Sequence, residues 1–365
     1  MKNKVYIVTV ILASLLFSSC ENLFIEKDPS SGNRQTFEYL WQKTKEQYSY
    51  FELKNIDWDS VYSVYDGVIT DNMSQEEFFI MMFDMMATLK DGHVNLYSPF
   101  NVSRYPELAV PDSNYNVRIV RDTYLSSYYA QTGPLTNDLI HELDSTGNKV
   151  PLVRAVNGQN KGILYVRYSS FSSMISNYDI DYVITRYRNV TEGMIFDVRS
   201  NGGGSPLNIF QICERFIPSD AGNVTLYYSR NKSGTGPNDF DEWLPADISP
   251  SGYHYPGKIV VLTDRGCYSA TSYFATALQA VKKLHPVKII GVPTGGGLGA
   301  PRGGQLPNGW YYRMSVTQTR SVDGNTEYEL GVPPDIYVTQ QPSDTQENKD
   351  TLIERAIDEI FNGSW

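Results

Sequence analysis

Apolar residues in the first quarter of the chain recur at helical spacing. Between residues 35 and 90 they fall three or four positions apart, and the clearest row is Phe78, Met81, Met82, Met85, Met86 and Leu89. Such a row covers one face of an amphipathic helix and packs against a core. Ser74 and Glu77 precede it at the spacing of a capping box, which marks a helix start. The pattern predicts a helical N-terminal domain over 35–97.

From about residue 150 the pattern changes to short, continuous apolar runs that alternate with helical stretches. The predicted strands cover 163–168, 193–199, 259–263 and 287–291, and the predicted helices lie around 174–189, 205–217, 269–284 and 350–361. Uninterrupted apolar strands between helices are typical of a largely parallel sheet that is buried on both faces. The sequence therefore predicts an α/β protein whose β/α domain covers 151–365.

Two segments depart from these patterns. Residues 98–150 contain one strand-like run, Val117-Arg118-Ile119-Val120, and otherwise predict an irregular connecting segment between the two domains. Residues 221–256 are rich in Gly, Asn, Ser and Pro, and they predict a long loop that covers a cleft.

The N-terminus has the features of a targeting segment. Lys2 and Lys4 precede an apolar run over 5–17 that is too short for a stable membrane anchor, and Ser18-Ser19-Cys20 follows it. This arrangement resembles a bacterial lipoprotein signal, in which the cysteine is lipidated. The alternative is an ordinary secretory signal with a chance cysteine. The sequence predicts a signal peptide over 1–19, a tether over 20–34 and a protein that the lipid on Cys20 holds in the bacterial cell envelope.

Composition narrows the possible partners. The net charge is −10 over 365 residues, without clusters of Lys or Arg, which argues against nucleic acid and against electrostatic docking on anionic lipid. The two cysteines after the signal, Cys213 and Cys267, allow one disulfide at most, so no disulfide scaffold is expected. No cluster has the spacing of metal ligands, and no cofactor is implied. The oligomeric state is left open.

Ser269 occupies the position of a candidate nucleophile. The apolar run 258–263 ends in a polar turn, and Ser269 then precedes the small residues Ala270-Thr271-Ser272 at a helix start. A serine between a strand and a helix N-terminus presents its hydroxyl at the sheet edge, beside free backbone N–H groups. The alternative is an ordinary helix cap, for which serine is well suited.

A glycine-rich turn and a histidine complete the candidate chemistry. Asp197-Val198-Arg199-Ser200-Asn201-Gly202-Gly203-Gly204 follows a buried strand and suits an oxyanion site, in which one donor comes from the turn and the other is the amide of Ala270. The alternative is a merely flexible turn. Asp197 and Arg199 are expected to pair and brace this turn. Among the four histidines, His93 is the best anchored candidate base, and its alternative is a structural role.

Five segments in this order resemble the C-terminal processing (tail-specific) serine peptidase superfamily, in the branch that contains the tricorn protease core and the retinoid-binding protein of the eye. They are Asp91-Gly92-His93, the turn 197–204, Ser269-Ala270-Thr271-Ser272, Gly291-Val292-Pro293-Thr294-Gly295-Gly296 and Gly331-Val332-Pro333-Pro334-Asp335. The resemblance covers about 35–340. It implies a crotonase-like (ClpP/crotonase) β/α catalytic domain behind the helical domain. The Gly-Leu-Gly-Phe-like loop of a peptide-binding PDZ insert is not found.

The resemblance also implies residue roles. Ser269 matches the nucleophile, and Gly202 or Gly203, with the Ala270 amide, matches the oxyanion hole. Glycines occupy 295–297, where the processing branch carries its lysine base. The tricorn-like branch uses a histidine in the position of His93, oriented by a glutamate for which both Glu327 and Glu329 are available.

The favoured interpretation is a lipid-anchored serine endopeptidase that acts on peptides or proteins. One alternative is a catalytically weak or inactive protein that binds peptides or apolar ligands on the same scaffold. Another is an esterase or acyl-CoA enzyme, which is disfavoured because no basic residues for a CoA phosphate are evident.

Overall fold

The computed structural model describes residues 32–105, 115–250 and 253–365. The predicted signal peptide, Cys20 and nearly all of the predicted tether lie outside these ranges. Within them, none of the helices combines the length and the hydropathy that crossing a membrane requires.

Three helices form the N-terminal part: α1 (Asn33–Gln47), α2 (Trp58–Asp66) and α3 (Gln75–Ala87). The predicted capping box is present at the start of α3, where the Ser74 hydroxyl and the Glu77 carboxylate each accept the other's backbone N–H. The methionines of α3 lie in the core: Met82, Met85 and Met86 are all 2% exposed or less. Their spacing therefore reflects packing.

The remaining elements follow in chain order. The strands are β1 (Asn95–Tyr97), β2 (Ala130–Thr132), β3 (Leu135–Leu139), β4 (His141–Leu143), β5 (Lys149–Pro151), β6 (Arg154–Val156), β7 (Gln159–Tyr168), β8 (Thr191–Asp197), β9 (Val224–Asn231), β10 (Leu244–Ile248), β11 (Lys258–Thr263), β12 (Val287–Gly291), β13 (Pro301–Gln305), β14 (Tyr311–Ser315), β15 (Thr317–Ser321) and β16 (Ile336–Tyr337). The α-helices that follow β7 are α4 (Asn177–Tyr187), α5 (Leu207–Phe216), α6 (Ala270–Val281), α7 (Pro342–Gln346) and α8 (Thr351–Asn362).

The central sheet has the strand order β16-β12-β11-β8-β7-β3-β2, with β6 paired to β7. Strands β7, β8, β11, β12 and β16 run parallel to one another, whereas β3 pairs antiparallel with β7 and β2 pairs antiparallel with β3. The protein thus has a mixed α/β fold with a helical N-terminus, as the sequence pattern predicted.

Burial on both faces explains why the parallel strands are apolar without interruption. Successive side chains of a strand point to opposite faces. Leu164 and Val166 of β7 belong to the cluster that α4, α5 and α6 cover, whereas Ile163 and Tyr165 belong to the cluster that α8 covers. A strand between two helical layers therefore carries an apolar residue at every position.

Three local predictions differ from the structure. The second half of 98–150, predicted to be irregular, supplies β2 and β3 to the central sheet. The strand predicted at 117–120 is helical, because the Asn116 side chain accepts the N–H groups of Arg118 and Ile119 and starts a helix there. The predicted loop over 221–256 contains β9 and β10, which form a second sheet with β15.

A hairpin from the β/α part joins the two halves of the molecule. Strands β13 and β14 pair with each other, and β14 also pairs with β1, so that Asn95 lies opposite Arg313. Trp310, Tyr312 and Met314 are buried in the same cluster as the three N-terminal helices. This packing fixes the residues just before β1 against the carboxyl edge of the central sheet.

Candidate active site

The candidate nucleophile lies where β11 gives way to α6. The backbone of Ser269 has φ 56° and ψ −122°, a conformation that L-residues rarely adopt, and its side chain makes no capping hydrogen bond. Such strain costs on the order of 1–3 kcal/mol and is concentrated at functional sites. Instead, the hydroxyl lies 2.9 Å from Nε2 of His93. The structure therefore argues against a mere helix cap.

His93 reaches this hydroxyl from the N-terminal half, 176 residues earlier in the chain. It precedes β1 by two residues and is 5% exposed. Its backbone N–H donates to Oδ1 of Asp91 at 2.8 Å, and its ring packs against that of Tyr268 at a centroid distance of 5.0 Å. These contacts hold the imidazole at the end of the helical domain against the nucleophile.

The pKa of His93 is lowered, first because the ring is buried and also because Arg313 lies near it, while the charge of Asp91 partly offsets the shift. The imidazole is therefore neutral at pH 7 and can accept a proton. If Nε2 accepts the Ser269 hydroxyl, Nδ1 carries the ring proton. That buried atom makes no hydrogen bond of ordinary geometry within the described residues, although the nearby Gly299 backbone favours the protonated ring and acts to raise the pKa of His93.

Neither candidate glutamate hydrogen-bonds to His93 in the structure. Glu327 is exposed, and its side chain is not part of the site. Glu329 is 3% exposed, on a 3₁₀ turn over Glu327–Leu330. Its Oε1 accepts from Nζ of Lys54 at 3.1 Å and its Oε2 from the N–H of Leu298 at 2.6 Å. Glu329 thus lies in the buried part of the site but is engaged by Lys54 and the Leu298 amide.

Asp91 is the carboxylate that accepts the His93 backbone N–H and whose charge acts to raise the pKa of the imidazole. It is 2% exposed and accepts hydrogen bonds from the Tyr48, Tyr268 and Ser315 hydroxyls at 3.1, 3.2 and 2.9 Å, besides the His93 amide. These donors come from both halves of the molecule. They hold an ionised carboxylate in the interior, because each lone pair that it loses from water is replaced.

Lys54 links Asp91 and Glu329 into one buried ionic cluster. Its Nζ lies 3.4 Å from Oδ2 of Asp91 and 3.1 Å from Oε1 of Glu329, and its side chain is 6% exposed. Burial opposes ionisation of Asp91, but the Lys54 charge, His93 and the hydrogen bonds from the His93 amide and the Ser315 hydroxyl together outweigh it and lower the pKa of Asp91 to about 2. Burial raises the pKa of Glu329 to about 7, a shift that Lys54 offsets only in part. The single ammonium of Lys54 therefore pairs with both carboxylates.

The glycine turn lies directly against the nucleophile. A Cβ on Gly203, where φ is 97°, would lie 2.8 Å from Cβ of Ser269 and 2.9 Å from the amide nitrogen of Ala270. The N–H of Gly203 donates to Oδ1 of Asn201 at 3.0 Å, so it is not free to bind an oxyanion. The N–H groups of Gly202 and Ala270 have no acceptor among the described residues. This pair is the better candidate for the oxyanion hole.

The glycine turn is held in place by the predicted ion pair between Asp197 and Arg199 and by Asn201. The Arg199 guanidinium binds Asp197 at 2.6 Å and Asp350 at 2.9 Å, and all three side chains are 2% exposed or less. The carbonyl of Asn201 accepts the N–H of Tyr268 at 3.1 Å, which connects the turn to the nucleophile segment. The ion pair predicted between Asp197 and Arg199 is therefore present, and its role is structural.

Two cavities adjoin the Ser269–His93 pair. One, of about 250 Å³, is lined by both side chains and by Tyr227, Tyr273 and Pro301. The other, of about 510 Å³, is lined by residues adjacent to the pair in sequence, Gly92 and Tyr268, and by Gly202. The site is thus open to a ligand on two sides.

The structure brings together Ser269, His93, Ala270 and the glycine turn, which the sequence offered as candidates, and it adds Lys54, Asn201 and Asp91, to which the sequence assigned no role. Asp91 was visible only as part of a motif. No pattern marks Lys54, which meets Glu329 across 275 residues. Asn201 was quoted within the turn, where its side-chain contacts could not be read from spacing.

Comparison with known proteins places this chain in a class of serine peptidases. Residues 162–338 match the family model described as Peptidase family S41, and residues 29–87 match the Tricorn protease C1 domain. A crystal structure of a candidate peptidase from Parabacteroides merdae is 34% identical over 92% of this chain and 98% of its own, with a TM-score of 0.79.

More distant structures share the fold. Mature CPAF is 12% identical over 91% of this chain and 98% of its own, with a TM-score of 0.68. The photosystem II D1 C-terminal processing protease is 13% identical over 87% and 96%, with a TM-score of 0.51. The chain belongs to peptidase family S41 and is a serine peptidase, as the resemblance predicted.

Proposed function

We propose that this protein is a serine endopeptidase in which Ser269 is the nucleophile and His93 is the general base. The observation that carries the proposal is the 2.9 Å contact between Oγ of Ser269 and Nε2 of His93. That distance lies within the range for proton transfer between a nucleophile and its base. The strained backbone at Ser269 supports it as well.

In the proposed reaction, Oγ of Ser269 attacks a peptide carbonyl while His93 takes the hydroxyl proton. The N–H groups of Gly202 and Ala270 bind the developing oxyanion, a contribution whose loss costs roughly 10²–10³-fold in rate per donor. The imidazolium that forms is stabilised by the negative charge of Asp91. His93 then protonates the leaving amine, and the same base activates the water that hydrolyses the acyl-enzyme.

Glu329 acts through the cluster in this proposal. With Lys54 it fixes the position of Asp91, and Asp91 in turn holds the His93 backbone and stabilises the imidazolium. This differs from a triad in which the glutamate contacts the imidazole. Glu327 has no part in the proposed mechanism because its side chain is exposed.

Labelling with a fluorophosphonate probe tests the proposed nucleophile. The wild-type protein should label covalently, Ser269→Ala should not, and His93→Ala should label at least about 10³-fold more slowly because its serine has no base. Ser233→Ala, which changes an exposed loop serine, is the matched control and should label normally. A folded wild-type protein that neither labels nor cleaves peptides would instead support a binding protein on this scaffold.

We also propose that the β/α part is crotonase-like and that the mature protein is lipid-anchored in the bacterial cell envelope through Cys20. The parallel sheet with helices on both faces supports the first point. The apolar run before Ser18-Ser19-Cys20 supports the second. Metabolic incorporation of an alkyne fatty acid tests the anchor: the wild-type protein should be labelled and Cys20→Ala should not.

A further inference from the structure

The larger cavity beside the nucleophile is a basic cleft in an acidic protein. It is lined by Arg104, Arg265 and Arg313, and neither Asp nor Glu occurs among its described lining residues. The whole chain carries a net charge of −10. Three arginines around one cavity repel one another unless an anion lies between them. Such a departure from the charge of the rest of the protein indicates a binding role.

None of these three arginines forms an ion pair with any residue in the described ranges. Arg313 is half-buried and donates through Nε to Asn95 at 2.7 Å, which leaves its two terminal nitrogens without an acceptor among the described residues. Arg265 makes one long contact, 3.5 Å to the Thr294 carbonyl. The guanidinium groups of Arg265 and Arg313 are therefore positioned without an ion pair, and Arg104 is exposed. By contrast, Arg199 is fully paired.

The cleft adjoins each component of the candidate site. Its wall includes Gly92, which precedes His93, Tyr268, which precedes Ser269, and Gly202, which supplies a candidate oxyanion donor. A group bound in the cleft would thus belong to a substrate residue close to the scissile bond. The second cavity, lined by Tyr227, Tyr273 and Pro301, is suited to an apolar side chain.

We infer that the arginine-lined cleft binds a carboxylate of the peptide substrate, supplied by an acidic side chain near the scissile bond or by a nearby free C-terminus. The inference rests on the proposed peptidase function. Guanidinium groups match carboxylates in geometry because they donate two parallel hydrogen bonds, and they stay charged at every relevant pH. The preferred substrates are then peptides that present an apolar residue to one cavity and a carboxylate to the other.

Binding to the full-length Ser269→Ala protein tests this without turnover. Four fluorescein-labelled peptides are compared by anisotropy: a Glu-containing peptide and its Gln counterpart, each with a free and an amidated C-terminus. One carboxylate should tighten binding by roughly 10-fold, the lower end for a charge-assisted hydrogen bond at a partly open site. A preference for Glu identifies a side chain as the source, and a preference for the free terminus identifies the C-terminus.

Variants of the cleft assign the effect to its arginines. In the Ser269→Ala background, Arg265→Gln and Arg313→Gln should each reduce the carboxylate preference, and Arg265→Glu should favour a Lys-containing peptide. Arg118→Gln, which changes an exposed arginine outside the cleft, should leave the preference intact. Because Arg265 is exposed, its substitutions do not threaten folding.

Equal binding of all four peptides would overturn the inference, as would an undiminished preference in the Arg265→Gln/Arg313→Gln double variant. These outcomes are distinct from a failure of the proposed function. A protein that binds carboxylate peptides through these arginines but resists fluorophosphonate would retain the cleft assignment and lose the nucleophile assignment.

Discussion

Replacing Lys54 by methionine removes a buried ammonium that faces two carboxylates. Its Nζ lies 3.1 Å from Oε1 of Glu329 and 3.4 Å from Oδ2 of Asp91. At an effective dielectric constant of about 20, each contact corresponds to roughly 5 kcal/mol of attraction. The net loss is smaller because burying the ammonium is itself costly. Removing one member of a buried ion pair usually costs about 3–5 kcal/mol, so we expect Lys54→Met to lower the free energy of unfolding by about 4 kcal/mol at pH 8.

The cost should depend on pH. Burial raises the pKa of Glu329 to about 7, above the value of about 4.3 in an unfolded chain. The folded protein therefore binds the Glu329 proton more tightly than the unfolded chain does. This tighter binding contributes stability that is present at low pH and is lost as the pH rises through 7. Without Lys54 the pKa of Glu329 rises further, so the variant continues to lose stability above pH 7. At pH 5, where Glu329 is protonated, Lys54→Met should cost only about half as much, roughly 2 kcal/mol.

Urea unfolding of a double-mutant cycle measures both effects. Wild type, Lys54→Met, Glu329→Gln and the double variant are compared at pH 5 and pH 8 by tryptophan fluorescence. At pH 8, Glu329→Gln should recover about 2 kcal/mol in the Lys54→Met background because it removes the uncompensated charge. Lys90→Met, which changes an exposed lysine, should stay within about 0.5 kcal/mol of wild type. A cost that is equal at the two pH values, with additive effects in the cycle, would show that Lys54 and Glu329 are not energetically coupled.

Three further predictions concern the active site and its support. Gly203→Ala should abolish peptide cleavage, because the new Cβ would lie 2.6 Å from the Tyr268 carbonyl oxygen. Gly202→Ala, whose Cβ would meet nothing within 4 Å, should keep most of the activity. Equal activities of the two variants would show that the close approach of the turn to Tyr268 is not required. The acid limb of kcat/KM should lie below pH 6.5, since burial lowers the pKa of the His93 base and the reaction needs its neutral form; a limb above that pH would exclude the assignment. Asp350→Ala should destabilise the protein by about 3–5 kcal/mol in thermal or urea unfolding, because it leaves the Arg199 guanidinium half-paired, and a change below about 1 kcal/mol would contradict this.

The parts of the fold that sequence predicted share one property: they are buried on a regular pattern. The parallel strands lie between two helical layers, and α3 packs one face on the core, so each carries an apolar pattern that its own sequence displays. By contrast, β9 is only half-buried along most of its length and lies among turn residues, which made it resemble a loop. The segment 117–120 has the composition of a strand, but one side-chain cap at Asn116 makes it helical.

The candidate site divides in a similar way. The position of Ser269 follows from local sequence, because a buried strand, a tight turn and a helix start in succession determine where its hydroxyl emerges. The direction of the Glu329 side chain does not, since it depends on where Lys54 and the Leu298 amide lie in three dimensions. The resemblance offered Glu327 and Glu329 as candidate acids, but spacing along the chain could not say which of them would be buried or which neighbour it would contact.

The α/β architecture, the strand–serine–helix junction and the glycine turn can be predicted from the amino-acid sequence, because each depends on residues within one or two adjacent elements. Three features depend instead on how distant segments pack together: His93 meets Ser269, Lys54 joins Asp91 to Glu329, and three arginines line one cleft. These contacts arise because β1 pairs with β14 and carries the helical half onto the sheet edge. Chain entropy opposes such distant pairings, and they form through the burial of a shared core, which no local pattern specifies.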